Sequence, residues 1–355
     1  MISLNLKNTM FILGAGAHVP YEYPTARQLR DKIKNFFEYL TEIDQSIDFE
    51  IKPDVENDGH LYLLYRMLMN TDDQWDYWKA CHGSRENINV NPGWVSKKFV
   101  EEIFSFLDRF IASGVLTLDS FATKKASHEF DQIYSRLMIV VFMYYYEKSF
   151  ENSGKQDWIE EFFIDKIIRK NQGFFIEYSP RIITFNYDCL FERKINNAFK
   201  ELYNVFPELK ITHVYGKIPI TSHYSLLSDE RLILSTRNSI QDIKFVGETS
   251  KIHDQFISLL VEGQDQAHDV TDIVFLGFGF DEDNLKTLFK NFNGVEENKS
   301  LEKIKFYSTN VGLKSFDITI IKKILPPGCI IEFFEDELGI IDCSKILHEK
   351  LDIHI

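Results

Sequence analysis

Cysteine is scarce in this chain, which argues against a zinc ribbon or a redox dithiol. The 355 residues contain four cysteines, which lie far apart and form no Cys-x-x-Cys pair. Sites of either kind need cysteines at close, regular spacing. Isolated cysteines are typical of proteins in a reducing cytoplasm, and we expect a cytoplasmic location.

Long apolar runs and an excess of basic residues are also missing. No apolar run has the length that crosses a bilayer, and no charged segment followed by an apolar one opens the chain, so we expect a soluble protein without membrane attachment. The formal net charge is -14, whereas nucleic-acid surfaces need clustered Lys and Arg. We therefore expect no direct nucleic-acid binding. A small phosphate ligand stays compatible with this charge, because it depends on local backbone donors.

Short apolar runs followed by helical patterns dominate the two ends of the chain. A composition of 44% hydrophobic and 14% aromatic residues is typical of a globular protein. Runs of this kind are typical of buried parallel strands. The sequence therefore predicts an α/β protein with a Rossmann-like parallel sheet flanked by helices. The predicted strands are 9–13, 182–184, 210–214, 272–276, 304–307 and 329–334.

A different pattern fills the middle of the chain. Between about residues 44 and 173, large apolar residues recur at three- and four-residue spacing with few strand signals, which predicts a helical insertion or cap. We expect residues 1–43 to form the first part of the Rossmann-like domain and residues 174–355 to form its remainder.

Glycine pairs follow two of the predicted strands. Gly14-Ala15-Gly16 follows the first strand, and Gly277-Phe278-Gly279 follows the strand at 272–276. Glycines at a strand end allow a phosphate to approach the backbone closely. A tight turn between core elements is the alternative, and the third glycine of the usual dinucleotide fingerprint is Val19 here.

Polar residues follow two other strands. Asn186 and Asp188, two residues apart at the end of a strand, can face a ligand together. Alternatively, Asp188 forms an Asx turn that caps the next helix. His213 ends a further strand three residues before Gly216. A lone histidine in such a place is most often a structural imidazole with its hydrogen bonds satisfied.

Taken in order, these motifs resemble those of the sirtuin superfamily, specifically its zinc-less prokaryotic branch of sirtuin-like NAD-consuming domains. Sirtuins carry a Gly-Ala-Gly loop, a Thr-Gln-Asn-x-Asp motif, a catalytic His beside Gly, a Gly-Thr-Ser loop and a late Asn. Here the corresponding residues are Gly14-Ala15-Gly16, Thr184-Phe185-Asn186-Tyr187-Asp188, His213, Gly277-Phe278-Gly279 and Asn310. The resemblance spans the chain from Gly14 to about Asn310, outside the helical insertion.

The resemblance implies a role for each matching residue. Asn186 would lie beside the nicotinamide ribose, Asp188 would brace the nicotinamide pocket, and His213 would be the base near the ribose hydroxyls. The residues implied to contact the cofactor are Gly14, Ala15 and Gly16 at the pyrophosphate, Gly277, Phe278 and Gly279 at the phosphates and the adenine-side ribose, Asn310 at the adenosine, and His18 and Thr184.

Departures from the sirtuin pattern argue against protein deacylation. No cysteine lies between Cys189 and Cys329, so the structural zinc module is missing and we expect no metal. His18 stands where sirtuins usually have Ser, and Phe185 stands where they have Gln. In the zinc-less branch the implied activity is hydrolysis of NAD, as the substrate, to nicotinamide and ADP-ribose. The implied role is that of an NAD-depleting effector in bacterial anti-phage defence.

Two other functions remain open on the sequence. One is an NAD-dependent protein deacylase or ADP-ribosyltransferase, and the other is a non-catalytic module that senses NAD or ADP-ribose and assembles a complex. Because an unregulated NAD hydrolase would kill its host, we expect control by a homo-oligomer or a partner protein. We expect the helical insertion to be the contact surface, and the resemblance suggests a motor ATPase or a short Argonaute as the partner.

Overall fold

A computed structural model gives the fold of the protein. It describes residues 2–42, 49–50, 94–95, 97–125, 130–150, 157–170, 173, 175, 180–218, 242–245, 252–260, 270–289, 304–309, 313, 315–325, 329–334 and 343–354. Asn310 and much of the predicted helical insertion, including residues 51–93, lie outside these ranges.

The described strands are numbered in chain order. They are β1 (Ile2–Asn5), β2 (Thr9–Leu13), β3 (Phe49–Glu50), β4 (Trp94–Val95), β5 (Arg181–Thr184), β6 (Ile211–His213), β7 (Asp272–Leu276), β8 (Lys305–Thr309), β9 (Ile330–Phe334) and β10 (Leu351–His354).

The described α-helices are numbered in the same way. They are α1 (Ala26–Glu42), α2 (Lys97–Ala112), α3 (Leu118–Lys124), α4 (Asp131–Phe150), α5 (Leu190–Tyr203), α6 (Ile252–Leu260), α7 (Glu282–Phe289), α8 (Ser315–Ile324) and α9 (Cys343–Lys345). Short 3₁₀ helices cover Leu6–Asn8 and Ala15–Tyr21, and π-helical segments cover Ile159–Ile168 and Ile346–Lys350.

Six parallel strands form the central sheet, in the spatial order β6-β5-β2-β7-β8-β9. Counted along the sheet's own strands this is the order 3-2-1-4-5-6 of doubly wound dinucleotide-binding proteins. The predicted Rossmann-like parallel sheet flanked by helices is therefore confirmed. In such sheets ligands bind beyond the carboxyl ends of the strands, where the strand order reverses. That point lies here between β2 and β7.

Register brings the predicted motifs to one edge of this sheet. Leu13 is the Cα partner of both Thr184 and Leu276, and Thr184 in turn pairs with His213. The ends of the four neighbouring strands β6, β5, β2 and β7 therefore lie level. All residues of β2 and β5 are buried, which explains the apolar run of four residues in β2 and the Ile182-Ile183 pair in β5.

A second, two-stranded parallel sheet was not predicted. It pairs β1 with β10, so that Ile2 lies opposite Leu351 and Asn5 opposite His354. Before β10, residues 343–350 are helical, as α9 and the π-helical segment after it. The four-residue alternation of apolar and polar side chains in β1 and in β10 is a weaker signal than the apolar run of β2 or β7, so neither strand can be recognised without its partner.

The chain divides into two compact units. The first unit contains Met1–Tyr23, Asn152–Lys217 and Val246–Ile355, and it holds the six-stranded sheet. The second contains Pro24–Glu151 and Ile218–Phe245. These units do not coincide with the predicted segments 1–43, 44–173 and 174–355, since α1 belongs to the second unit and the π-helical segment Ile159–Ile168 to the first.

Helices α1 to α4 pack together within the second unit. Phe36 of α1 lies edge-on to Phe142 of α4, and Phe37 stacks on Phe104 of α2. Helix α1 begins after a capping box, because the Thr25 hydroxyl accepts a hydrogen bond from the Gln28 backbone N–H and the Gln28 side-chain oxygen accepts one from the Thr25 backbone N–H. None of the helices in the described ranges is long and apolar enough to cross a membrane.

Two adjacent isoleucines in β9 provide a test of the sheet's packing. Ile331 is 7% exposed within the core, whereas Ile330 is 73% exposed. We expect Ile331→Ala to lower the free energy of unfolding by about 2–5 kcal/mol, because the buried methyl groups leave a cavity. Ile330→Ala is the matched control and should cost about 1 kcal/mol or less. Urea denaturation of both variants checks this, and equal losses would contradict the assigned strand register.

Candidate functional site

The two glycine loops meet at the point where the strand order reverses. Gly14 N–H donates to the Leu276 carbonyl and Gly16 N–H to the Gly277 carbonyl, both at 2.9 Å. The loop after β2 continues as the 3₁₀ helix Ala15–Tyr21, in which Ala17 N–H donates back to the Gly14 carbonyl at 3.0 Å. Three backbone donors of this loop are thus used inside the protein.

Steric contact between the loops explains the glycines. A Cβ on Gly14 would lie 2.6 Å from the Gly277 carbonyl oxygen, and a Cβ on Gly16 would lie 2.8 Å from the same atom. Gly277 has φ +58°, and a Cβ there would lie 1.8 Å from the backbone nitrogen of Ala17. The two loops can approach this closely only because Gly14, Gly16 and Gly277 carry no side chains. The predicted contact of Gly14, Ala15 and Gly16 with a pyrophosphate stays a prediction.

Phe278 and Gly279 differ in their surroundings. The Phe278 ring is buried and lies 4.9 Å from the Phe185 ring and 5.1 Å from the Phe280 ring, centroid to centroid. Its side chain therefore belongs to the core beneath the site. A Cβ on Gly279 would meet no atom within 4 Å. Gly279 is exposed, so a side chain there would extend into open space, and its predicted contact with the cofactor stays a prediction.

The first glycine loop is held from behind by the segment before and within the π-helix. Trp158 donates from its indole N–H to the Ala17 carbonyl at 2.7 Å. Tyr21 donates from its hydroxyl to Asp157 and accepts from the Ile159 backbone N–H at 3.0 Å. Burial raises the pKa of Tyr21 well above its usual range, and the negative charge of Asp157 raises that pKa further. The hydroxyl therefore stays protonated and keeps this contact.

A short turn after β5 brings Asn186 to the glycine loop. Asn186 backbone N–H donates to the Thr184 hydroxyl at 3.1 Å, and the Asn186 side-chain amide donates to the Gly14 carbonyl at 3.3 Å. Thr184 is buried, and its hydroxyl shapes the turn. Both contacts fix Asn186 relative to the sheet edge, and the predicted cofactor contact of Thr184 stays a prediction.

Asp188 connects Asn186's turn to His18. His18 Nδ1 lies 2.9 Å from the Asp188 carboxylate, and both side chains are buried. Burial alone would raise the pKa of Asp188, but the neighbouring His18 and the Leu190 backbone N–H, which donates to Oδ1 at 3.0 Å, outweigh it and hold that pKa below its usual value. Asp188 is therefore a carboxylate that accepts the backbone N–H of the first residue of α5 and also contacts His18. The predicted role of Asp188 at a nicotinamide pocket stays a prediction.

Two buried polar atoms of this group have no hydrogen-bond partner among the described residues. They are Asn186 Oδ1 and His18 Nε2. Because His18 Nδ1 donates to Asp188, its 3.2 Å contact with the Asn186 amide nitrogen joins two donors, and the Gly14 carbonyl holds the amide orientation instead. An unsatisfied buried polar atom costs about 1–3 kcal/mol, so each of these atoms needs a functional or structural explanation.

His213 reaches the same group from the neighbouring strand. Its Nδ1 lies 3.3 Å from the Asn186 carbonyl oxygen, and its Nε2 lies 2.5 Å from Oε1 of Glu192. Glu192 stands in the first turn of α5, and both side chains are mostly buried. Glu192 was not predicted, since an acidic residue in a first helical turn is common without any site. The structure thus gives His213 a carboxylate partner.

The described site therefore brings together Asn186, Asp188, His213, His18 and the two glycine loops at one edge of the sheet. The predicted adenosine contact, Asn310, follows β8 directly but lies outside the described residues. Trp158 and Asp157 were missed because their link to the glycine loop crosses more than 130 residues of sequence.

Comparison with known proteins gives no identification. No family model matches the chain, and no curated protein matches it either.

Substitutions at Gly277 and Gly279 test the contact between the loops. The left-handed conformation alone costs a non-glycine residue about 1–2 kcal/mol, and a Cβ at Gly277 also overlaps the Ala17 backbone, so Gly277→Ala should lower the free energy of unfolding by more than about 2 kcal/mol. Gly279→Ala is the matched control, expected within about 0.5 kcal/mol of wild type. Thermal or urea unfolding measures both. A silent Gly277→Ala would show that the loops do not pack as described.

Proposed function

We propose that the protein is an NAD glycohydrolase, which cleaves NAD to nicotinamide and ADP-ribose. The observation that carries the proposal is the position of Asn186. It follows a central strand beside the reversal point of a sheet with the dinucleotide-binding strand order. Its amide nitrogen is held by the Gly14 carbonyl, while its Oδ1 has no partner among the described residues. A ribose hydroxyl or an attacking water is a suitable donor to that oxygen.

The charges near Asn186 suit this reaction. Breaking the bond between nicotinamide and ribose leaves positive charge on the ribose, as in glycoside hydrolysis. The leaving group is already a pyridinium, so it needs no general acid. The Asp188 carboxylate, whose pKa lies below its usual value, and the Glu192 side chain place negative charge beside Asn186 and His213. Fixed negative charge near the ribose stabilises the positive charge that develops there in the transition state.

His213 is the proposed base for a ribose hydroxyl or for the attacking water. Its two ring nitrogens face oxygen acceptors, the Asn186 carbonyl and Glu192. To take up a proton, the ring must release one of these contacts when substrate binds. Catalytic hydrogen bonds commonly rearrange in this way between the unbound and the substrate-bound enzyme.

The biological part of the proposal rests on the resemblance to zinc-less sirtuin-like domains. There the hydrolysis depletes NAD as an effector of anti-phage defence. The packed glycine loops, Asn186 and His213 at the carboxyl ends of the strands support the chemical part of the proposal and are neutral on the biological part.

Release of nicotinamide tests the function directly. Purified protein incubated with NAD should release nicotinamide without any acylated peptide, and Asn186→Ala should abolish the release because it removes Oδ1, the proposed acceptor for the ribose hydroxyl or the water. Chromatography of the products measures this. Asn197→Ala, an exposed asparagine of α5, is the matched control and should retain wild-type turnover. Normal turnover in Asn186→Ala would contradict the assigned role.

The same assay separates the alternative functions. Release that strictly requires an acylated peptide would replace the hydrolase with a deacylase or transferase. No release by protein that binds NAD in calorimetry would favour the sensing module.

Loss of the His213 side chain should affect turnover more than binding. General-base assistance is worth about 100- to 10,000-fold, so His213→Ala should lower kcat by a factor in that range. The dissociation constant for NAD, measured by calorimetry, should change by less than about tenfold, since a base contributes to the transition state and not to uniform binding. A variant that loses affinity while keeping kcat would assign His213 to binding instead.

A further inference from the structure

The His18 ring offers a proton acceptor on the nitrogen that does not contact Asp188. His18 Nδ1 lies 2.9 Å from Oδ2 of Asp188. A carboxylate can only accept, so Nδ1 is the donor, and in a neutral ring Nε2 then carries a lone pair. Nε2 is buried and has no hydrogen-bond partner among the described residues. A buried acceptor of this kind is costly unless a ligand group or a water molecule donates to it.

Asp188 equips this ring to take up a proton. Burial alone would raise the pKa of Asp188, but His18 and the Leu190 backbone N–H outweigh burial and hold that pKa below its usual value. When Nε2 accepts a proton, the positive charge of the ring therefore meets a carboxylate at 2.9 Å. An aspartate at the other ring nitrogen also fixes the tautomer, as it does in Ser-His-Asp triads.

The fold holds the His18 ring in place before any substrate binds. The rings of Tyr21 and Tyr23 lie edge-on to it, with centroids 6.1 and 5.9 Å away. The residue before it, Ala17, is tied through its carbonyl to the Trp158 indole N–H at 2.7 Å. A catalytic group needs such support, because small errors in its position are expensive.

His18 also contacts the residue on which the proposed function rests. Asn186 Nδ2 lies 3.2 Å from His18 Nδ1. Asn186 Oδ1 and His18 Nε2 are each two covalent bonds from this contact, and both are acceptors without a partner among the described residues. A water molecule has two hydrogens, so it can donate one to each acceptor while a lone pair of its oxygen stays available for attack.

His213 is less able to take a proton from that water. Its Nδ1 lies 3.3 Å from the Asn186 carbonyl oxygen, and its Nε2 lies 2.5 Å from Oε1 of Glu192. The second distance is that of a shared proton, so both nitrogens are engaged. His213 has to release a contact before it can act as a base, whereas His18 Nε2 has no described contact to release.

We infer that His18, paired with Asp188, is the base that takes the proton from the attacking water. The inference rests on the proposed function and leaves the ribose hydroxyl to His213. The water oxygen forms a bond to the anomeric carbon of the ribose. The bond from that carbon to nicotinamide breaks, and its electron pair leaves with neutral nicotinamide. The water proton passes to His18 Nε2 and afterwards from the imidazolium to solvent.

This role is particular to the present chain. The sirtuin pattern has Ser at the position of His18, and a serine hydroxyl does not take up a proton at neutral pH. The resemblance implied only a cofactor contact for this position. The contact of His18 with Asp188 crosses 170 positions of sequence, so it becomes visible only in the folded chain.

Azide tests the inference, because it is an anion that attacks carbon without losing a proton. His18→Asn keeps an amide N–H for Asp188 but has no group that takes up a proton, and His18→Ala removes both. On the full chain with NAD, kcat should fall by about 100- to 10,000-fold in each variant. Added azide should restore nicotinamide release in both, with ADP-ribosyl azide as the product in mass spectrometry.

Two other histidines serve as controls. Azide should not restore His213→Ala, because a base for the ribose hydroxyl is needed whichever nucleophile attacks. His348 lies in the π-helical segment Ile346–Lys350, 3.6 Å from Glu161, and His348→Ala should keep wild-type kcat with ADP-ribose as the product. Urea unfolding of each variant shows whether it folds.

Nitrogen-15 NMR of the wild type is a second readout that needs no variant. The neutral His18 ring should carry its proton on Nδ1. This measurement decides the question if neither His18 variant folds.

Four results would each overturn the inference: wild-type turnover in a His18 variant, a loss that azide does not restore, azide rescue of His213→Ala instead, or an Nε2 proton on the neutral ring. All four leave the hydrolase intact, since they concern only which group takes the proton. A wild-type protein that releases no nicotinamide would refute the hydrolase, and the base role of His18 with it.

Discussion

Backbone packing between Gly14, Gly16 and Gly277 is the contact on which the geometry of the site depends. Each of these glycines lies where a Cβ would overlap the other loop, and two backbone hydrogen bonds join the loops at 2.9 Å. The contact lies at the carboxyl ends of β2 and β7, where the strand order of the sheet reverses. Because the Gly14 carbonyl in turn accepts from Asn186, a displacement of either loop would move the central polar side chain of the site.

Around that contact, hydrogen bonds fix the orientation of the polar side chains. Asp188 accepts from His18 and from the start of α5, Thr184 shapes the turn to Asn186, and Trp158 holds the loop from behind. Among the described residues, Asn186 Oδ1 and His18 Nε2 are left without a hydrogen-bond partner. The neighbouring hydrogen bonds fix the orientation of both side chains, and oriented unpaired atoms are typical of binding and catalytic sites.

His213 shows how a sequence motif can have the expected place and an unexpected environment. Its position at the end of β6 agrees with the resemblance, and it reaches the backbone of Asn186. Its contacts with Glu192, and the nearness of Cys189, add chemistry that the resemblance did not include.

The sequence by itself determined the sheet and the order of its motifs. Buried parallel strands read as unbroken apolar runs, and the residues after them follow from chain order, so Gly14, Asn186, His213 and Gly277 could all be placed at strand ends. Only the tertiary structure decided the contacts that cross long stretches of chain: His18 with Asp188, Trp158 with Ala17, and β1 with β10. Periodicity reports on neighbours within one element, whereas a pairing between distant segments exists only once the sheet has brought them together.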